Sequence, residues 1–176
     1  IISLVAQEKK DTTAYSTILL SQTGERTILT YRGASEDLLR SDVSYEKVRA
    51  RWAYIVPGKI SYPVIFDAVQ RLRKNGTRIA MNPSRHYLEF GIKKLRPLFD
   101  MLSVVMMNRE EAAFLTKADY GKKQEIMKRF NTLVSGIAII TDGPEGVLVS
   151  DGERNYSAGV FREKKIIDRT GAGDAF

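Results

Sequence analysis

The stretch D-R-T-G-A-G-D-A-F, residues 168–176, follows the apolar pair Ile166-Ile167, which is typical of the end of a strand. Its two glycines lie two residues apart and permit a tight turn in which backbone N–H groups point toward one position. Ala175 and Phe176 resume a helix-compatible pattern, so the turn is expected to open a helix. Free amides and the positive end of the helix dipole then face the same point, and the stretch predicts an anion site.

Asp174 lies at the mouth of this predicted anion site. A carboxylate repels phosphate, but it can accept the proton of a hydroxyl that attacks a phosphate. In the structural alternative, Asp174 is a first-turn helix residue whose charge stabilises the helix by about 0.3–1 kcal/mol. A bare G-x-G-D pattern does not separate these interpretations, whereas the full nine-residue stretch is much more specific.

The nine residues closely resemble the signature of the ribokinase-like (PfkB) carbohydrate kinase family, in which a D-x-x-G-A-G-D turn precedes a helix. This resemblance implies ATP-dependent phosphorylation of a sugar or nucleoside hydroxyl. It implies that Asp174 is the catalytic base and that the anion hole is formed by the amides of Gly171, Ala172 and Gly173. Arg169 departs from the small residue that family members often carry at that position.

A second motif, N-R-E-E at residues 108–111, directly follows an apolar run. It resembles the N-x-x-E motif of the family, in which the glutamate helps to organise hydrated Mg²⁺ and phosphate. The same pattern predicts a capping box, with Asn108 as N-cap and Glu111 at the third helical position. Both interpretations hold together, because a cap fixes the side chain and Mg²⁺ accepts a carboxylate through water. The resemblance thus assigns Glu111 to Mg²⁺ through water.

A third motif, T-D-G-P-E-G at residues 141–146, resembles the nucleotide-side turn of the family. Threonine offers a hydroxyl, and glycine lets the backbone approach a phosphate closely. Without the family, the stretch is a β-turn. With it, the residues assigned to the nucleotide are Thr141, Gly143, Gly146 and Asn108.

The apolar pattern predicts an α/β fold. Apolar runs typical of buried strands lie at residues 53–56, 78–81, 101–107 and 137–140. Ser61 is the expected N-cap of a helix that ends at Asn75-Gly76 and has an inward face of Val64, Ile65, Ala68, Val69 and Leu72. Residues 120–135 predict another helix that ends at Gly136, with an inward face of Ile126, Met127, Phe130, Leu133 and Val134. Asp151-Gly152 predicts the turn of a further hairpin. Pro97 is expected to break any helix over residues 88–98. Strands and helices at this spacing make βαβ units, which favour a parallel sheet.

Residues 1–35 predict β structure. Two β-rich runs, Ser16–Leu20 and Arg26–Tyr31, flank a turn and predict a hairpin. This hairpin resembles the substrate-covering lid of the family, and a plain sheet edge is the structural alternative. The expected organisation is a β lid and hairpin region over residues 1–35 and an α/β kinase core over residues 36–176, incomplete at its C-terminus.

The composition limits the class of protein. A net charge of +7 is compatible with nucleic-acid binding, but the basic residues are dispersed in short pairs and no DNA or RNA motif occurs. A solvated basic surface that attracts anionic ATP is favoured. The absence of cysteine excludes disulfides and cysteine-ligated metals and fits a cytoplasmic protein. No apolar run approaches the roughly 20 residues that span a bilayer, and no P-loop pattern occurs.

Together the motifs predict a ribokinase-like α/β fold, in which helices flank a central, mostly parallel sheet with a small β lid. The expected function is ATP- and Mg²⁺-dependent phosphorylation of a sugar hydroxyl by a cytoplasmic phosphotransferase. No specific nucleic acid or membrane partner is expected. Two copies of the protein are expected to form a homodimer through the lid. The alternatives are an adenosine-type nucleoside kinase of the same fold, a non-catalytic nucleotide-binding protein and a basic nucleic-acid-binding domain.

The length of the sequence gives one further expectation. Family members usually carry a first strand and sugar-hydroxyl ligands upstream of the matching region and an adenine pocket downstream of it. At 176 residues the sequence is therefore expected to be a fragment lacking both ends, and to be inactive alone.

Overall fold

The computed structural model describes residues 11–21 and 26–160 of the chain. The chain divides into two compact units: a first that contains the described residues 11–21 and 26–43, and a second formed by Ser44–Val160. The stretch 168–176, with Asp174 and the three residues assigned to the anion hole, lies outside the described residues.

The first unit contains an antiparallel hairpin of β1 (Tyr15–Leu20) and β2 (Arg26–Tyr31). Both predicted strands are confirmed, and the turn at residues 22–25 lies outside the described part of the chain. The rings of Tyr15 and Tyr31 lie opposite each other, with centroids 5.3 Å apart. Short 3₁₀ turns follow at Gly33–Glu36 and Arg40–Asp42.

The second unit is built on a six-stranded sheet. Its strands, in spatial as well as chain order, are β3 (Trp52–Ile55), β4 (Arg78–Met81), β5 (Val104–Asn108), β6 (Ile137–Thr141), β7 (Val147–Ser150) and β8 (Asn155–Ala158). Strands β3 to β6 pair in parallel, and β7 and β8 continue the sheet antiparallel. The predicted mostly parallel sheet is therefore confirmed, as is the hairpin that turns at Asp151-Gly152.

Five α-helices accompany the sheet within the described residues: α1 (Tyr62–Lys74), α2 (Arg85–Leu88), α3 (Gly91–Phe99), α4 (Arg109–Thr116) and α5 (Lys123–Asn131). Helix α1 packs on β4, α4 on β5, and α5 on β6. Alternate residues of β4, β5 and β6 are fully buried and the residues between them are mostly half-buried, as a pleated strand between packed layers requires.

Helix α1 has the predicted boundaries and the predicted apolar face. The residues expected to face inward are all buried: Val64, Ile65, Ala68, Val69 and Leu72. Ser61 occupies the N-cap position, but within the described residues its hydroxyl makes no capping hydrogen bond. The physical reason is local, since Pro63 has no N–H to offer and the N–H of Val64 bonds to the backbone oxygen of Ser61 at 3.0 Å.

The expectation that Pro97 breaks the helix is wrong, because α3 continues through it. Pro97 is exposed and lies in the last turn of the helix. In a regular helix residue 97 would donate a hydrogen bond to the backbone carbonyl of Lys93. Lys93 is also exposed, so water can bond to that carbonyl instead.

Helix α5 is shorter than the predicted span of residues 120–135. The side chains expected to face inward are nevertheless all buried: Ile126, Met127, Phe130, Leu133 and Val134. Gly136 marks close packing rather than a helix end, since a Cβ atom at this position would overlap the backbone oxygen of Ser103.

Strand β3 begins with Trp52, the one tryptophan of the sequence. The guanidinium of Arg78, on the neighbouring strand β4, lies 4.4 Å from the centre of its ring. The indole therefore sits against a cation at the amino ends of two parallel strands.

Candidate functional site

The carboxyl ends of β3, β4, β5 and β6 lie at one edge of the sheet, because the four strands are parallel. Ligands of α/β sheets bind at this edge. Asn108, the last residue of β5, pairs with Thr141, the last residue of β6. The structure thus places the N-x-x-E and T-x-G-x-x-G motifs side by side, while the D-x-x-G-A-G-D stretch is outside the described residues.

The predicted capping box at the start of α4 is confirmed. The side-chain oxygen of Asn108 accepts a hydrogen bond from the backbone N–H of Glu111 at 2.8 Å. In return, the backbone N–H of Asn108 donates to the Glu111 carboxylate at 3.0 Å. The Glu111 side chain is therefore held in one orientation, at the carboxyl end of β5.

Electrostatics around Glu111 are mixed. Burial raises the pKa of its half-buried carboxyl, and the charge of Glu110 adds to this. The Asn108 N–H and the positive charge of Arg85 lower the pKa, but they do not cancel the effect of burial. The ionised form of Glu111 is thus incompletely compensated, and a cation bound nearby would stabilise it.

Arg85 comes from α2, which follows β4 at the same edge of the sheet. Its guanidinium stacks 3.5 Å from the centre of the Phe114 ring, and it pairs with Glu89 at 4.0 Å. Sequence reasoning assigned no role to Arg85, because nothing local shows that α2 lies beside α4.

The two glycines of the turn between β6 and β7 differ in their surroundings. Gly143 has a φ of +50°, is exposed, and would have no atom within 4 Å of an added Cβ. Gly146 has a φ of +86° and is buried, and a Cβ there would overlap the backbone oxygen of Ala158 at the end of β8. Packing therefore requires glycine at position 146, whereas the backbone at Gly143 is open to an approaching ligand.

An ion cluster around one buried carboxylate underlies this turn, and sequence reasoning missed it. The carboxylate of Asp142 is 6% exposed; it contacts Arg109 at 3.2 Å and Lys123 at 2.9 Å. Arg109 also donates to the backbone oxygen of Tyr120 at 2.6 and 3.1 Å and stacks on the Tyr120 ring. The quoted motifs contain both Arg109 and Asp142, but no local pattern joins residues 33 positions apart.

The donor set at this edge fits a magnesium ion that is held mainly by phosphate and water. No group of three or more His, Cys, Asp or Glu side chains that could hold a metal occurs among residues 11–21 and 26–160. Magnesium needs few direct protein ligands, and one oriented, incompletely compensated carboxylate such as that of Glu111 suits it.

None of the described helices is long and apolar enough to cross a membrane.

Known proteins resemble this chain in both sequence and fold. A cytidine kinase from Thermococcus kodakarensis is 32% identical over 108 residues, which cover 59% of this chain and 38% of that protein. The crystal structure of a probable sugar kinase from Rhizobium etli CFN 42 superposes with a TM-score of 0.79 at 26% identity, covering 92% of this chain and 51% of that one. An adenosine kinase from Sinorhizobium meliloti gives a TM-score of 0.75, also at 26% identity and with the same coverage.

These matches extend over much of this chain but only part of each relative. The chain spans about half the length of the two solved kinases and less of the cytidine kinase. The sequence pattern that defines the pfkB family of carbohydrate kinases matches residues 1–176. The mostly parallel sheet flanked by helices agrees with that match, and the chain belongs to the pfkB family of carbohydrate kinases.

Proposed function

We propose that this protein transfers the γ-phosphoryl group of ATP to a hydroxyl of a sugar. The observation that carries the proposal is the pairing of Asn108 with Thr141, which sets the capping box that orients Glu111 beside the strand end that leads into the open turn at Gly143. A polar edge of this kind, at the carboxyl ends of parallel strands, suits a phosphorylated nucleotide. Membership of the pfkB family supports the same reaction.

The stretch 168–176 supplies the chemical step in this proposal. Asp174 accepts the proton of the attacking hydroxyl, and the developing charge is stabilised by the amides of Gly171, Ala172 and Gly173. A reference aspartate is ionised at neutral pH, with a pKa of about 3.9, so no unusual environment is required. These roles rest on the sequence motif.

The turn and the capping box bind the nucleotide. Residues proposed to contact it are Thr141, Gly143, Gly146 and Asn108. Of these, Gly143 is supported by its exposed backbone, while Gly146 has a packing role as well. Glu111 would hold a magnesium ion through water, and the ion would supply neutralisation of the charge on the phosphates.

The catalytic role of Asp174 is tested with the variant Asp174→Asn, which keeps the shape and removes the proton acceptor. In the full-length protein, at saturating ATP and sugar, we expect kcat to fall by about 10²–10⁴, or roughly 3–5 kcal/mol of barrier. Glu153→Gln, at an exposed position before β8, removes the same charge and is the matched control. An Asp174→Asn enzyme that keeps more than about a tenth of kcat contradicts the assignment.

A nucleoside is the alternative acceptor, and two similarities favour it. The 32% identical relative is a cytidine kinase, and one of the solved structures is an adenosine kinase. Assaying the full-length protein with ATP against ribose, fructose, 2-keto-3-deoxygluconate, sugar phosphates, adenosine and cytidine separates the candidates. Turnover confined to the nucleosides would overturn the sugar assignment. ATP binding without turnover of any acceptor would favour a non-catalytic nucleotide-binding protein.

The hairpin is proposed to act as a lid and as a contact between two copies of the protein, with residues 1–35 as lid region and 36–176 as core. Both of its faces carry exposed apolar side chains, with Leu19 and Leu29 on one face and Ile18 and Ile28 on the other. An isolated two-stranded hairpin is at best marginally stable, so a cover is expected. Sedimentation of the full-length protein should show a dimer that Leu19→Lys/Leu29→Lys converts to monomers; a monomeric wild type contradicts the pairing.

A further inference from the structure

Asp142 is the residue through which the turn between β6 and β7 is anchored. Its backbone N–H donates to the oxygen of Gly146 at 2.8 Å, and its own oxygen accepts from Glu145 at 2.9 Å, so its main chain closes the turn from both sides. Its side chain, in contrast, leaves the turn and lies buried against Arg109 and Lys123. The turn that presents Gly143 is therefore tied to the helices through this one carboxylate.

Arg109 is the partner that connects this turn to the other half of the site. It lies between Asn108 and Glu111 in sequence, in the first turn of α4. Two of its nitrogens bond to the Tyr120 oxygen, a third faces the Asp142 carboxylate, and the guanidinium stacks on the Tyr120 ring at 4.4 Å. A planar guanidinium held by three nitrogens has little freedom left, so it fixes Asp142 relative to the capping box.

Stability alone does not account for an ion pair between the buried Asp142 and the half-buried Arg109. The free-energy cost of removing both charges from water offsets much of their attraction. A protein with well-packed apolar residues in place of such a pair is often at least as stable. The pair does supply direction, because two bonds to the Tyr120 oxygen fix the guanidinium and with it the nitrogen that faces the carboxylate. That property matters where two segments must keep a fixed spacing around a ligand.

We propose that Arg109 and Asp142 are positioning residues for the nucleotide. Their ion pair, named here the Arg109–Asp142 latch, holds the Gly143 turn at a fixed distance from Asn108 and Glu111, so that both segments meet the phosphates of one ATP molecule. The inference rests on the proposed function for its ligand, and it assigns to these two side chains no contact with substrate.

Lys123 provides a matched control within the same cluster. Its ammonium lies closer to Asp142 than the guanidinium does, at 2.9 Å against 3.2 Å, so its removal also disturbs the buried carboxylate. It belongs to α5, however, which carries none of the proposed site residues. Lys123→Met should therefore lower stability much as Arg109→Met does, while leaving the spacing of the two site segments intact.

The experiment measures ATP affinity by calorimetry, the KM for ATP, the KM for the acceptor and Tm in the full-length protein. Arg109→Met and Asp142→Asn are each expected to weaken ATP binding about tenfold to a hundredfold, with the acceptor KM unchanged. The double variant should bind ATP no more weakly than either single variant does, because both substitutions break the same ion pair. Arg109→Lys, which keeps the charge without the planar fork, should recover part of the affinity and provides the measurement if Arg109→Met does not fold.

The outcomes separate the latch from the proposed function. Equal losses of ATP affinity in Lys123→Met and Arg109→Met would show a general structural effect and overturn the latch. The latch also fails if wild-type enzyme turns over and the Arg109 variants bind ATP as tightly as the wild type. A wild type that binds ATP without phosphorylating any acceptor overturns the kinase assignment instead, and the calorimetric comparison still decides the latch. A wild type that binds no ATP overturns both.

Discussion

Two junctions at the carboxyl edge of the sheet lie side by side and are held in different ways. The junction between β5 and α4 is closed by Asn108 and Glu111, which satisfy each other's backbone groups three residues apart. The junction between β6 and β7 depends on distant partners: Asp142 is held from α4 and α5, and Gly146 packs on the end of β8. The first junction is thus fixed by residues close together in sequence, whereas the second is fixed by contacts that form only when the chain folds.

The largest effect is expected from a substitution that breaks the second junction alone. Gly146→Ala forces a side chain into positive φ and into the Ala158 backbone, and should cost about 2–4 kcal/mol of unfolding free energy. Gly143→Ala is the matched control, since its Cβ meets open space and should cost only about 1 kcal/mol. Urea unfolding measures both, and equal losses would remove the distinction between the two glycines.

A smaller effect is expected from breaking the first junction. Asn108→Ala removes the side-chain oxygen that accepts from the Glu111 N–H, and a lost N-cap costs about 1 kcal/mol. Asn108→Ser retains a capping oxygen and should recover most of that stability. If the alanine and serine variants unfold at the same urea concentration, the capping box does not hold this junction.

The smallest effect concerns the pH dependence of stability. Burial raises the pKa of Glu111 above its ordinary value of 4.5, so the folded state binds the proton more tightly than the unfolded state. The stability due to this difference is fully present below the ordinary pKa and is lost as pH rises through the raised folded pKa. Glu111→Gln should therefore flatten the decline in unfolding free energy that begins as pH rises past the ordinary pKa of 4.5.

The same urea titrations at several pH values, with the exposed Glu153→Gln as control, isolate the contribution of Glu111. A wild type whose stability relative to Glu111→Gln increases as pH rises past the ordinary pKa of 4.5 would have the opposite sign and would contradict the direction of the shift.

The features that could be predicted from the sequence are those whose causes are local. The apolar face of α1, the two hairpins and the capping box at Asn108 each depend on residues that lie a few positions apart. The strand–helix alternation then gave the parallel sheet, and with it the edge at which Thr141 and Asn108 pair.

The features that could not be predicted depend on what folding brings together. The contact of Arg109 with Asp142 spans 33 positions, and the need for glycine at position 146 arises from Ala158, which a turn signal does not reveal. The helix break expected at Pro97 does not occur, because the helix tolerates proline where Lys93 is exposed, and exposure is a tertiary property. The roles of Asp174 and its neighbouring glycines stay predictions, carried by their motif.

Trp52 gives this 176-residue sequence an intrinsic fluorescent probe at a useful place. As the one tryptophan of the sequence and the first residue of β3, it lies at the amino end of its strand, whereas the proposed nucleotide site is at the carboxyl edge. Its emission should report the loss of the sheet, where Arg78 leaves the indole, without direct quenching by a bound nucleotide. A change in emission on adding ATP would then signal a rearrangement carried along the strands.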